Sequence, residues 1–245
     1  MKDDKFKKEM FFTIISMIVY FSLIILANIL SNIVIKIPNS INALVEIAFP
    51  LMIIIILKKK KLLSYYGINS LKLLNYKNLL FCIPMVLIPL VNLRFGIHIN
   101  YSWGQLLLIS ISMLGVGFSE EILFRSFLMK AIMNKSTKAA ILLPGIIFGV
   151  IHITNLFGGT DVIATILQVI YAVSFALMCS LFYYKTNNII PCMICHSVTN
   201  ITNSFLPNDL SIKYQCIGCI AFILLSAFYA LYLCNTKKSM IKNTE

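Results

Sequence analysis

The chain has 245 residues, 59% of them hydrophobic and 12% charged, against roughly 45–50% and about 25% in an ordinary soluble domain. Together with a mean hydropathy of +0.89, this excludes a water-soluble surface. The formal net charge of +12 does not point to nucleic acid either, because most Lys and Arg residues lie between apolar runs, where they set membrane orientation.

In chain order, Lys2, Lys5, Lys7 and Lys8 precede an apolar run from Met10 to Ile35. That run is too long for a signal-peptide core and lacks a small-residue cleavage site, so it reads as a retained span. Further spans follow at Ile41–Leu57, Leu79–Leu93, Trp103 to about Met129, Ala139 to about Ile153, Val162–Tyr184, Ile189–Phe205 and Tyr214–Cys234. The expectation is therefore an all-α, polytopic membrane protein with about eight transmembrane helices. Residues 1–245 form one integral-membrane domain with its functional core at about 103–205. Pro84 and Pro89 predict a kink in the third span, and the stretch from Leu62 to Lys77, with Tyr65, Tyr66, Lys72, Tyr76 and Lys77 among leucines, suits an interfacial connection.

Basic residues fall unevenly on alternate sides of these spans. Seventeen lie on the side of the N-terminus and only Lys36, Arg94 and Lys213 on the other, with Arg125 inside the fourth span. This bias places both termini in the cytoplasm. The seven cysteines sit almost wholly inside apolar runs and read as small core hydrophobes. Cys192-Met-Ile-Cys195-His196 spells a haem-attachment pattern and Cys216-Ile-Gly-Cys219 a second paired-cysteine pattern, but neither lies in the accessible loop that such chemistry needs.

Ionisable groups inside a span carry an insertion penalty, so each one is a functional candidate. The densest group is Ser119-Glu120-Glu121-Ile122-Leu123-Phe124-Arg125. Glu121 and Arg125 stand at i and i+4 with the acid first, the better orientation for an ion pair, and Glu120 is turned about 100° away. The fifth span ends in Phe148-Gly-Val-Ile-His152, and the seventh carries His196, Asn200 and Asn203 as a polar stripe along one face. A carboxylate beside a neutral imidazole can hold and deprotonate a water, while a second imidazole and a carboxamide can donate to a developing oxyanion. Those are the parts of a hydrolase. Straight helices would set Glu120 and His152 at somewhat different depths, and a break or tilt at Pro144–Gly145 would reconcile them. Glu46 in the second span is a structural partner or a cavity lining, and Gln168 reads as packing.

No HExxH motif and no Gly-x-Gly-Asp segment is present, and Gly117-Phe-Ser119-Glu120 has Glu where a rhomboid-like serine motif wants Gly. Glu120-Glu121-x-x-x-Arg125, then Phe148-x-x-x-His152, then His196-x-x-x-Asn200 resembles the CAAX prenyl protease and bacteriocin-processing family, also called Abi. The resemblance covers roughly residues 117 to 203; residues 1 to 100 match only as generic spans.

The resemblance implies an intramembrane endopeptidase with a cavity open towards the cytoplasm. Glu120 would be the general base and His152 would help to hold the water. His196 and Asn200 would stabilise the oxyanion, with Glu121, Arg125 and Asn203 in support. No cofactor is required on this reading; zinc is the alternative, and it would sit on Glu120, His152 and His196, but those ligands are not preorganised on one helix. The substrate is expected to be a membrane-associated peptide or lipidated precursor, and the setting a bacterial plasma membrane. The alternative from another class is a non-catalytic bacteriocin-immunity or scaffold protein of the same fold. A transporter is disfavoured by the absence of internal repeats.

Overall fold

The structure is a computed structural model and describes residues 2–69, 82–94, 96–99, 101–207 and 210–236. Among these, every regular element is helical. Helix α1 (Lys2–Ile29) passes into a π-helical stretch, Leu30–Ile35, and α2 is Ser40–Lys59. Helix α3 is Ile83–Leu93, and α4 (Trp103–Glu121) continues as a π-helix, Ile122–Met129, into α5 (Lys130–Met133). Helix α6 (Thr137–Ile151) ends in a 3₁₀ stretch, His152–Gly158, and α7 (Val162–Thr186), α8 (Ile190–Asn203) and α9 (Ile212–Asn235) follow.

Among the described residues six helical runs are long and apolar enough to cross a membrane: Asp3–Ile35, Ser40–Lys59, Trp103–Met133, Thr137–Gly158, Val162–Thr186 and Ile212–Asn235. The third and seventh expected spans correspond to α3 and α8, of 11 and 14 residues. The first residues of the third span and the part of the interfacial connection beyond Asn69 lie outside the described residues, as do Lys237, Lys238 and Lys242. Outward faces are apolar, with Phe11, Leu44, Phe228 and Leu231 all more than half exposed, as lipid solvation allows.

Local chemistry sets the helix ends. Ser102 and Gln105 close a capping box at the start of α4. Ser136 and Asp161 accept from the backbone N–H groups of Ala139 and Ala164 to start α6 and α7. Asn187, in the left-handed region at φ 47°, stops α7.

One end of the bundle gathers the lysine-rich segments. Asp3 pairs with Lys135, Glu9 accepts from Tyr65 and Asn134, Asn187 donates to the Ser64 carbonyl, and Lys185 donates to the Thr236 carbonyl at 2.6 Å. The start of the chain and residue 236 therefore lie at the same end. At the other end the backbone N–H of His98 donates to Phe205, and the connections around Thr160 and Pro207 meet at a pocket.

Of the break or tilt expected at Pro144–Gly145, the break is absent: α6 runs through it from Thr137 to Ile151. The π-helical stretch and α5 carry the fourth span on to Met133, thirteen positions beyond Glu120, and His152 stands fifteen positions beyond Thr137. A helix interior tolerates proline where packing holds it, and Gly145 lets α6 lie close on Leu177 of α7.

Candidate active site

Two glycines let the site close. A Cβ at Gly117 would lie 2.7 Å from the Ser197 backbone nitrogen, so only glycine lets α4 meet α8 here. A Cβ at Gly115 would collide with the Glu46 backbone in the same way, on the α2 side. Ser197 Oγ donates to the Leu114 carbonyl at 3.0 Å and fixes the register of α8 on α4.

This packing seats the His196 ring between two carboxylates. Its Nδ1 lies 3.1 Å from Glu121 Oε1 and its Nε2 lies 3.6 Å from Glu120 Oε2. The same Glu121 oxygen lies 3.0 Å from Arg125 Nη1, so the ion pair expected from the i, i+4 spacing is present. Glu121 and Arg125 are fully buried, whereas the Glu120 side chain is 17% exposed. Arg125 makes no aligned hydrogen bond among the described residues, which leaves a charge contact to Glu121 on one side. On the other, its guanidinium carbon sits 4.7 Å from the centre of the Phe148 ring, an attraction strengthened by burial.

Phe148 joins the remaining histidine to this cluster. Its ring packs edge-to-face on His152 at 5.0 Å and on His196 at 5.5 Å, and Phe175 covers His196 at 5.3 Å. His152 Nδ1 lies 2.9 Å from the Phe148 carbonyl oxygen. A carbonyl only accepts, so Nδ1 carries the hydrogen and Nε2 of the neutral ring is left as an acceptor. By the same logic an ionised Glu121 accepts from Nδ1–H of His196 and orients Nε2 towards Glu120.

Of the residues singled out in the sequence, Glu120, Glu121, Arg125 and His196 are thus in direct contact, and His152 joins them through Phe148. Asn200 and Asn203 lie farther along α8, where both line a pocket of about 300 Å³. Glu46 is bound by Tyr20, whose hydroxyl donates to Oε2 at 2.8 Å, and Ser119 Oγ donates to the Glu46 carbonyl. Gln168 accepts from Asn155 and also lines the pocket. In the sequence Phe148 stands out only as the first residue of the Phe148-x-x-x-His152 motif, with no role, and Phe175 does not stand out, because a phenylalanine in an apolar run looks like core.

For a metal, the described side chains whose ligand atoms come within 4.8 Å of one another are Glu121, Cys179 and Cys192, all buried. Arg125 stands against that Glu121, which opposes a cation there. Glu120, His152 and His196 are not among the described groups whose ligand atoms converge to that distance.

The pocket beside the site opens at the lysine-poor end of the bundle, between the connections at Thr160 and Leu206. Its floor includes Tyr171 and Phe222, which pack on each other, and Phe222 packs on Phe175, the ring that covers His196.

Residues 102–202 match the family model described as Rce1-like, type II CAAX prenyl endopeptidase. The match runs from the N-cap of α4 to the last turn of α8, and so includes every candidate catalytic residue; it agrees with the resemblance carried by the three motifs. No curated protein matches the chain, and no solved structure does. Over this stretch the chain is similar to a family of membrane proteases, and its apolar helices are those of a multi-pass membrane protein.

Proposed function

We propose that this chain is an intramembrane endopeptidase that hydrolyses a peptide bond in a membrane-associated peptide or lipidated precursor. The observation that carries the reading is the His196 ring held between Glu120 and Glu121, with Glu121 paired to Arg125. Glu120, the more exposed acid, takes the proton of the attacking water, and His152 Nε2 accepts a hydrogen bond from the same water. The Glu121–Arg125 pair orients His196, whose Nε2 takes that proton from Glu120 and, as the carbonyl re-forms and the scissile C–N bond breaks, passes it to the departing amine nitrogen. In its protonated form that ring donates to the oxyanion, together with the carboxamide of Asn200. Asn203 supports the same helix face. The lysine bias puts both termini on the cytoplasmic side of a bacterial plasma membrane.

The test is a comparison of small peptides in membrane and culture fractions from cells expressing the wild type or Glu120→Gln at matched levels. A discrete peptide present only with the wild type is expected. Matching profiles, with both forms supporting the same cellular phenotype, would favour the immunity or scaffold reading.

A further inference from the structure

The buried Phe148 ring stands where three residues of the site meet. The guanidinium carbon of Arg125 lies over its face, 4.7 Å from the ring centre, and the ring meets those of His152 and His196 edge-to-face at 5.0 and 5.5 Å. The backbone carbonyl oxygen of Phe148 lies 2.9 Å from Nδ1 of His152. Phe148 thus holds His152 twice, through its ring and through its carbonyl, at the point where α6 gives way to the 3₁₀ stretch His152–Gly158. The local sequence Gly145-Ile-Ile-Phe148-Gly149 fixes where the ring stands. A Cβ at Gly145 would lie 2.9 Å from Leu177 Cδ2, and one at Gly149 would lie 2.9 Å from the Val173 backbone nitrogen. Two glycines one turn apart therefore let α6 lie directly on α7, a close contact of the small-residue type. Helix α7 in turn carries Phe175, whose ring covers His196 at 5.3 Å.

A side chain that only fills space needs none of this directionality. An aromatic ring has a negative face and a positive edge. The face attracts the Arg125 cation, and the edge-to-face contacts, at 65° to His152 and 81° to His196, fix the planes of two imidazoles that an aliphatic side chain would leave free to turn. Because both imidazoles pack on one ring, a shift of that ring displaces the group that holds the water and the group that donates to the oxyanion together. We infer that Phe148 is a positioning residue of the active site, which sets the His152 and His196 rings relative to each other and holds Arg125 behind Glu121. The inference deepens the endopeptidase reading and rests on it for the roles of the two histidines.

The test uses the full chain in lipid nanodiscs, labelled with nitrogen-15 in histidine and arginine. The chain has three histidines and two arginines, so His98→Gln, His152→Gln and Arg94→Lys assign the side-chain signals. In Phe148→Leu the ring nitrogens of His152 and His196 and the Nε of Arg125 should all move, while the His98 and Arg94 signals stay in place. Replacing Phe148 with mono-, tri- and pentafluorinated phenylalanine drains negative charge from the ring face at nearly constant volume, so the Arg125 signal should move stepwise along the series. A space-filling role would not produce that gradation, and the series decides the matter even where Phe148→Leu folds poorly. In turnover of the peptide released in cells, kcat should fall by about 10²-fold in Phe148→Leu with KM close to wild type, the mark of misplaced groups and not of weakened binding, and the monofluorinated protein should keep its activity. Histidine and Arg125 signals that stay at their wild-type positions in folded Phe148→Leu, or an Arg125 signal indifferent to fluorination, would overturn the inference. Its failure is separable from that of the endopeptidase reading. Signals that follow residue 148 in a protein that releases no peptide fail the enzyme alone, and cleavage with unmoved signals fails the positioning role alone.

Discussion

Glu121 and His196, 75 positions apart in the chain, meet at 3.1 Å through Oε1 and Nδ1, and the same oxygen faces Arg125 at 3.0 Å. One carboxylate thus serves as counter-ion to a buried guanidinium and as orienting partner to a histidine.

Arg125→Ala should therefore do more than remove a charge. It strands Glu121, fully buried, with a cavity where the guanidinium lay. Breaking one side of a buried ion pair costs about 3–5 kcal/mol, so protein levels and the thermal midpoint in detergent should both fall. A variant with wild-type levels and midpoint would contradict the ion pair.

The polar skeleton of this arrangement is legible in the sequence because ionisable groups inside apolar spans stand out, as Glu120, Glu121, Arg125, His152 and His196 do, and the i, i+4 pair follows from helical periodicity. The contact between Glu121 and His196 was not, because it depends on how close α4 and α8 pack, which Gly117 and Ser197 decide. The π-helical stretch Ile122–Met129 leaves no signature in an apolar run. Several of the expected spans, the proline-bearing third among them, are short for a bilayer already in the sequence; that α3 and α8 shrink to 11 and 14 residues is not legible there, since composition reports apolarity and not whether a helix faces lipid or protein. Tyr20 gave no sign of its bond to Glu46, a long-range contact between α1 and α2.

Gly117→Val tests the helix approach. The added methyl groups meet the Ser197 backbone, and overpacking of this kind costs about 1–3 kcal/mol; it would also move His196 away from Glu120. Gly104→Val is the control, because a Cβ there meets nothing within 4 Å. Cleavage and the thermal midpoint should drop with the first and hold with the second. Equal effects would refute the close approach.

Glu9 ties the start of α1 to two other segments, accepting from Tyr65 and from Asn134. Glu9→Ala leaves both donors without that partner. The expected loss is about 1–3 kcal/mol, read as a lower thermal midpoint and faster proteolysis near residue 134. Unchanged proteolysis would show that this clamp contributes nothing.

His152→Ala should leave the Glu121–Arg125–His196 contacts in place, because the ring touches them only through Phe148. Cleavage should fall by about 10²–10⁴-fold, the usual share of a proton-transfer group, with a thermal midpoint close to wild type. A large fall in stability with little loss of turnover per folded molecule would make His152 a packing residue.

The most direct test of the account is turnover by purified protein in lipid nanodiscs, using the peptide released in cells as the measure of substrate and comparing wild type with Glu120→Gln. Glu120 is the least buried of the three charged groups in the cluster, so the substitution should leave the thermal midpoint unchanged while cleavage falls by at least about 10²-fold. Glu120→Gln protein that folds and still cleaves at the wild-type rate would contradict the claim that Glu120 activates the water.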